Sequence, residues 1–131
     1  MEFNFRRWGV FNVVGLGGFV VQIIAIALLT RHFGWTAFAA TAVALELAAL
    51  QNFVAHSRWT WRDRPATGAR EWLRRYWRYQ GAKTASLAAN LAITATLAHL
   101  GLAAELANTA AVLTCAIPNY LLSEHLVFRH N

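Results

Sequence analysis

Four stretches of the chain are rich in apolar residues and almost free of charge: 10–30, 37–54, 85–102 and 106–122. Each is close to the roughly 17 to 25 residues that an α-helix needs to cross the hydrocarbon core of a bilayer. With 57% hydrophobic and 14% charged residues, the chain is too apolar for a water-soluble domain. The pattern therefore predicts an all-α integral membrane protein with four transmembrane helices.

The pattern of the first half returns in the second half. Segment 52–62 is matched by segment 119–129 at a constant offset of 67 residues. Such self-similarity indicates a doubled structural unit, and because each unit would cross the membrane twice, the two helical hairpins are expected to be parallel repeats. The expected organisation is one membrane domain, 1–131, with repeat 1 at about 6–62, a basic connector at about 63–76 and repeat 2 at about 77–131.

The basic residues are unevenly distributed around these spans. All of the 12 Lys and Arg residues except Arg31 lie before the first span, in the connector after the second span, or at the C-terminus. Basic residues that flank short spans stay in the cytoplasm, so both termini are expected to be cytoplasmic. The net charge of +6 lies next to the membrane and among aromatic residues. Anionic membrane lipid is therefore the expected partner, and nucleic acid is not.

The connector contains an amphipathic segment, 69–79. Arg70, Arg74, Arg75 and Arg78 fall on one side of a helix, and apolar and aromatic residues fall on the other. Such a helix is expected to lie in the membrane interface. Two interpretations remain open, a topological anchor and a docking platform for a lipid phosphate.

Small residues recur every four positions in the second and fourth spans. The residues are Ala40, Ala44 and Ala48 in the second span, and Ala107, Ala111 and Cys115 in the fourth. This spacing predicts a packing seam, because small residues let helix backbones approach closely in lipid. Asn52 and Asn119 end the two seams, where each could bond a neighbouring helix or position a substrate.

The spans also contain a few polar side chains that are costly in a membrane. Glu46 lies near the middle of the second span and points away from the small-residue seam. An ionisable group at this depth usually marks a pathway or a paired site. Other polar residues in the spans are Gln22 in the first and a stripe in the third, which starts near Lys83 and comprises Ser86, Asn90 and Thr94. A polar groove between helices is therefore expected.

Catalytic motifs are lacking in the sequence. It contains no nucleophile elbow, no phosphate-binding glycine loop, no metal-ligand spacing and no paired catalytic carboxylates. We therefore expect no enzymatic activity, no metal and no cofactor.

Three short segments resemble the GtrA-like family of small four-helix membrane proteins. They are 11–15 (FNVVG), Asn52-Phe53 followed by 58–61 (RWTW), and Asn119-Tyr120 followed by 127–129 (VFR). The chain departs from the family pattern at Gln22, where an acidic residue is frequent, and at His125-Leu126, where a basic residue is frequent. The resemblance covers essentially the whole chain.

The resemblance implies translocation of a polyprenyl-phosphate-linked monosaccharide, such as a glucosyl lipid, from the cytoplasmic to the outer leaflet for cell-surface polysaccharide synthesis. It also implies the cytoplasmic membrane of a bacterium or archaeon. The candidate substrate-binding residues are Gln22, Glu46, Asn52, Arg58, Arg62, Lys83, Asn90, Asn119 and Arg129. A homodimer is expected, because four helices are few to enclose a headgroup route, and membrane glycosyltransferases are expected partners. Two alternatives remain, a non-transporting scaffold for a glycosyltransferase and a proton-coupled small-molecule exporter.

Overall fold

A computed structural model describes residues 3–129, and the regular structure in that range is entirely helical. The four α-helices are α1 (Phe5–Ala27), α2 (Ala37–Ala55), α3 (Ala69–His99) and α4 (Ala104–Leu122). Three continue into a π-helical turn: α1 into Leu28–His32, α2 into His56–Thr60 and α4 into Ser123–Val127. The predicted all-α class is confirmed. The chain divides into two compact units, Met1–Pro65 and Ala66–Asn131.

The first unit is the helix pair α1 and α2. Asn4 begins α1 by accepting a hydrogen bond at Oδ1 from the backbone N–H of Arg7 at 2.9 Å. Thr36 begins α2 in the same way, through a 3.3 Å bond from the N–H of Ala39. These caps satisfy backbone donors that the first turn leaves unpaired. Between the helices the chain turns at Gly34, whose φ of 69° favours glycine.

Small residues form the contact between α1 and α2. Ala40, Ala44 and Ala48 are buried on α2, as the predicted seam requires, and Gly18 is buried on α1. Gly18 lies directly against the side-chain amide of Asn52, which occupies the space that a Cβ would need. The other face of α1 leaves its large apolar residues half or more exposed, for example Leu16, Phe19 and Ile24. Such a surface suits lipid rather than water.

The second unit begins with one long helix where the sequence predicted two elements. The amphipathic segment and the third span are continuous in α3, which runs for 31 residues from Ala69 to His99. At its start the Glu71 carboxylate accepts hydrogen bonds from the backbone N–H of Thr67 at 2.8 Å and from its hydroxyl at 2.5 Å. This carboxylate cap fixes the point at which the connector becomes helical.

Arg75 was predicted to lie with the exposed arginines of α3, and that prediction was wrong. Its Nη2 donates to Glu71 Oε1 at 2.5 Å, and both side chains are about nine-tenths buried. Arg70, Arg74 and Arg78 are exposed, as expected. The physical reason is the i, i+4 spacing of Glu71 and Arg75, which lets the two charges pair on the inner face of the helix.

Helix α4 packs against α3 through the counterpart of the first seam. Ala107 and Ala111 are fully buried and Cys115 nearly so. The turn before α4 contains Gly101, whose φ of 99° again favours glycine. Pro118 lies inside α4 and has no N–H to donate to the preceding turn.

Two of the helical segments meet the length and hydropathy that a membrane span requires, within the described residues. They are Phe5–His32 and Ala37–Thr60, both in the first unit. The second unit is more polar, because α3 begins with charged residues and α4 includes Asn108, Thr109, Thr114 and Asn119. The four spans predicted from the sequence thus remain a prediction for α3 and α4.

Corresponding elements of the two units have matching bounds. Helix α2 and its π-helical turn, 37–60, are matched by α4 and its turn, 104–127. The buried positions match as well, including Phe53 with Tyr120 and Trp61 with Phe128. The 67-residue offset in the sequence therefore recurs in helix ends and in burial.

Candidate functional site

A cationic pocket lies at the end of the first unit where α1 begins and α2 ends. It has a volume of about 480 Å³ and is lined by Asn4, Arg6, Arg7, Val10, Arg58, Trp59, Thr60, Arg62 and Asp63. Four guanidinium groups thus face one carboxylate. Within residues 3–129, Arg6, Arg58 and Arg62 have no ion-pair partner. A pocket of this composition is suited to an anion, and planar guanidinium groups bind phosphate oxygens in pairs.

The π-helical turn after α2 is held in place by an aromatic cluster. The His56 ring stacks on Phe11 of α1 with centroids 4.7 Å apart, and its Nδ1 lies 2.9 Å from the Thr60 hydroxyl. Trp61, which is fully buried, meets both rings edge to face at 5.9 Å and 5.4 Å. These contacts hold the chain on either side of Arg58 and directly before Arg62.

Asp63 gives the cationic pocket one negative group. Its Oδ2 accepts a 2.9 Å hydrogen bond from Arg7 Nη2 and lies 3.8 Å from Arg64 Nε. Partial burial raises the pKa of Asp63, but its own backbone N–H and the Arg7 guanidinium outweigh that effect and bring the pKa below its ordinary value. The carboxylate therefore stays ionised and ties the start of α1 to the segment after α2.

An apolar groove of about 480 Å³ adjoins this pocket on the same unit. Its lining residues are Val21, Leu47, Leu50, Gln51, Val54, Ala55, Arg58 and Trp59. Arg58 and Trp59 line both the groove and the cationic pocket. The two cavities together match an amphiphile whose anionic group is joined to a hydrocarbon chain.

Asn52 was predicted to bond a neighbouring helix or to position a substrate. Its amide lies against Gly18 of α1, and its Oδ1 is buried with no hydrogen-bond partner in the described part of the chain. Gln51 Oε1 has the same property. Helix–helix bonding does not account for either oxygen.

Three of the predicted polar residues in the second unit take part in bonds between α3 and α4. Ser86 donates to Asn119 Oδ1 at 2.5 Å, and Asn108 Nδ2 donates to Asn90 Oδ1 at 3.4 Å. Ser86 and Asn90 thus face α4. Of the two roles predicted for Asn119, the structure shows the bond to a neighbouring helix. The expected polar groove is therefore filled at these positions by the protein's own hydrogen bonds.

The comparison with protein families matches this chain to the GtrA/DPMS transmembrane domain over residues 10–128. The chain belongs to the GtrA/DPMS transmembrane-domain family. Membership identifies a membrane protein domain and links it to the translocation of sugars on glycosyl-carrier lipids. A comparison with curated protein sequences finds no significant match.

Within this GtrA/DPMS domain, the cationic pocket brings together two of the nine predicted binding residues, Arg58 and Arg62. Gln22 is half-buried on α1 and Glu46 is exposed on α2, and neither lines the pocket or the groove. Lys83 is half-buried on α3, and Arg129 is exposed after the last π-helical turn. The structure thus brings together Arg58 and Arg62, which follow α2, and leaves the predicted binding residues inside the spans outside the two cavities.

Sequence reasoning missed Gln51, Trp59 and Asp63 as site residues, and it used Arg6 and Arg7 only to orient the chain. Arg6 and Arg7 lie more than fifty positions before Arg62, yet a helical hairpin returns the end of its second helix to the start of its first. That simple rule, applied to the predicted spans, could have placed these arginines in the pocket. Gln51 carried no signal beyond being a polar residue beside Asn52.

Proposed function

We propose that this protein translocates a polyprenyl-phosphate-linked monosaccharide from the cytoplasmic to the outer leaflet, as a transporter without a chemical step. Family membership supports the link to carrier-lipid sugars. The observation that carries the proposal is the pairing of the cationic pocket with the apolar groove in the first unit. The arginines supply the charge that captures a phosphate, and the groove supplies a surface for the adjoining isoprene units.

The proposal includes a topology and a location. Both termini are cytoplasmic in a bacterial or archaeal inner membrane, so the cationic pocket faces the side on which the lipid-linked sugar is made. The distribution of Lys and Arg supports this orientation. Single cysteines introduced at positions 33 and 67 into a Cys115→Ala background test it. Position 33 should react with an impermeant reagent from outside and position 67 from inside, and the reverse pattern would refute the orientation.

We further propose that α3 and α4 also span the membrane and that the protein works as a homodimer. Four helices are few to shield a sugar phosphate headgroup from lipid. Crosslinking in vesicles, followed by mass determination, tests the homodimer. The same preparations, incubated with membrane glycosyltransferases, show whether such an enzyme delivers the substrate.

The direct test is transport in reconstituted vesicles. A short-chain prenyl phosphate glucose is supplied, and the exposure of its headgroup on each leaflet is followed over time. Wild-type protein should equilibrate the lipid between leaflets. The double variant Arg58→Ala/Arg62→Ala should slow this at least about tenfold, because charged hydrogen bonds contribute about 1.5–3 kcal/mol each.

The matched control is Arg70→Ala/Arg74→Ala, which removes two exposed arginines of α3 and keeps the same net charge as the pocket variant. It should transport close to the wild-type rate. If wild-type protein fails to move the lipid while still binding it, the scaffold function replaces the proposal. If both double variants lose transport equally, general positive charge matters and the cationic pocket is not the site.

A further inference from the structure

Two adjacent amides on α2 face the glycine pair of α1. The Asn52 amide lies on Gly18, and the Gln51 Nε2 lies 3.9 Å from the place where a Gly17 Cβ would be. The amide oxygens of both side chains are buried and have no hydrogen-bond partner within residues 3–129. Two buried acceptors without donors therefore stand side by side at one helix crossing.

This arrangement is unfavourable for a purely structural element. A buried acceptor that lacks a donor loses the hydrogen bonds it would make to water, and in a hydrocarbon environment few groups can replace them. The second unit avoids the problem: Asn119 receives the Ser86 hydroxyl, and Pro118 stands where Gln51 stands in the first. The packing of a helix hairpin thus does not require the amide pair of the first unit.

The position of Gln51 indicates what these acceptors meet. Gln51 lines the apolar groove together with Leu47, Leu50 and Val54, and it precedes Arg58 by seven residues. Seven residues of helix correspond to about 10 Å, so the amide pair lies roughly two turns inside the span from the cationic pocket. A headgroup that leaves the arginines and enters the membrane along this groove reaches Gln51 next.

We propose that Gln51 is an intramembrane binding station for the hydroxyl groups of the headgroup, which donate hydrogen bonds to its amide oxygen during translocation, and that Asn52, which lies against Gly18 outside the groove lining, positions Gln51. This inference rests on the proposed function. It adds residues and a ligand chemistry that the arginines do not supply, because guanidinium groups only donate and so do not satisfy a hydroxyl hydrogen. A sugar has several hydroxyl donors, whereas a bare prenyl phosphate has no sugar hydroxyl.

The test compares Gln51→Met with Leu47→Met in vesicles, using short-chain prenyl phosphate with and without glucose. Methionine keeps the length of glutamine without its amide, and Leu47→Met makes a similar change at an apolar position of the same groove. Gln51→Met should slow translocation of the glucose-bearing lipid about tenfold, the effect of one lost hydrogen bond in a dry site. Equilibrium binding of inorganic phosphate at the cationic pocket, which Gln51 does not line, should stay at the wild-type value.

Two further variants complete the design. Gln51→Glu keeps acceptor oxygens at the same place and should transport faster than Gln51→Met, and Asn52→Leu should slow the sugar-bearing lipid in the same way. Thermal unfolding of each variant identifies any change that comes from misfolding. If Asn52→Leu fails to fold, the translocation rate of Gln51→Glu relative to that of Gln51→Met decides whether the acceptor oxygen matters.

The outcomes separate this inference from the proposed function. If wild-type protein moves the sugar lipid and Gln51→Met moves it equally well, the binding station is refuted and the transport proposal stands. If Gln51→Met weakens binding of the bare prenyl phosphate as much as it slows transport, Gln51 only shapes the groove for the tail. If wild-type protein neither binds nor moves either lipid, both proposals fail.

Discussion

The two units place the same helices in the same order but use their polar atoms differently. In the second unit, Asn119 is bonded to Ser86, and Glu71 is bonded to Thr67 and Arg75. Within residues 3–129, the Asn52 and Gln51 oxygens of the first unit have no hydrogen-bond partner, and Arg6, Arg58 and Arg62 have no ion-pair partner. In the second unit, the Thr94 hydroxyl is also buried without a partner in that range. Buried polar groups that are hydrogen-bonded within the protein stabilise the fold, whereas unbonded ones lower its stability. Because both amide oxygens and the unpaired arginines belong to the first unit, we propose that this unit holds the site.

Several residue pairs at the 67-residue offset differ in polarity. Near the end of the second helix, polar or aromatic residues of the first unit correspond to less polar ones in the second: Gln51 to Pro118, Trp59 to Leu126 and Thr60 to Val127. Earlier on that helix the direction reverses, since Leu47 corresponds to Thr114. The buried framework is kept, since Ala44 corresponds to Ala111, and both are fully buried. The two units thus share buried small residues and differ in the polar groups near the end of the second helix.

The largest predicted effect concerns Gly18, against which the Asn52 side chain packs. A Cβ at Gly18 would coincide with the Asn52 amide. Gly18→Ala should therefore push α1 from α2 and lower the free energy of unfolding in detergent by about 1–3 kcal/mol, the usual cost of overpacking. Denaturant titration followed by tryptophan fluorescence measures this.

Gly15→Ala is the matched control on the same helix, because a Cβ there meets nothing within 4 Å. It should unfold like wild type or slightly later, since alanine favours helix over glycine. Equal stability of the two variants would mean that α1 does not approach Asn52 as closely as described.

The second prediction compares the arginines that follow the second helix of each unit. Arg62 lines the cationic pocket, and Arg129 is its counterpart at the end of the second unit. Arg62→Lys should weaken binding of a short-chain prenyl phosphate about tenfold, or about 1.4 kcal/mol, because lysine loses the paired geometry of guanidinium and phosphate. Isothermal titration of both lysine variants measures the difference.

Arg129→Lys should bind nearly as tightly as wild type if the first unit alone captures the phosphate. An equal loss in both variants would show that the two exits share the ligand and would end the asymmetric interpretation. Lysine variants that both bind like wild type would show that the phosphate needs only positive charge.

The helical architecture followed from the sequence because apolar length and small-residue spacing are local properties of a helix. The seam positions Ala40, Ala44 and Ala48 and their counterparts were correct for that reason. Arg75 was placed wrongly, because a helical wheel shows the side of a residue but not a buried partner such as Glu71. The cationic pocket was found only in part, since its arginines come from both ends of the hairpin. Whether an amide oxygen has a donor depends on distances of tenths of an ångström, which no residue pattern contains.

The smallest predicted effect concerns two carboxylates, Glu71 and Asp63, that hold helix ends. For Glu71 it is absent at neutral pH and appears on acidification. Hydrogen bonds from Thr67 lower the pKa of Glu71 from 4.5 to about 2, with a further contribution from Arg75. A carboxylate whose pKa is lowered on folding stabilises the fold above its unfolded pKa, and this contribution is lost as pH falls through the folded value. The start of α3 should therefore stay protected at pH 4.5 and open between about pH 4.5 and 2.

Hydrogen exchange at the first amides of α3, corrected for the intrinsic exchange rate at each pH, tests the prediction, and Glu71→Gln should remove the pH dependence of the protection factor. The first unit gives the contrast. Asp63 also has a lowered pKa through Arg7, but its side chain is 48% exposed, so added salt should weaken that pair while leaving the buried Glu71–Arg75 pair nearly unchanged. A start of α3 that opens with salt as readily as the Arg7–Asp63 pair separates would contradict the burial of the Glu71–Arg75 pair.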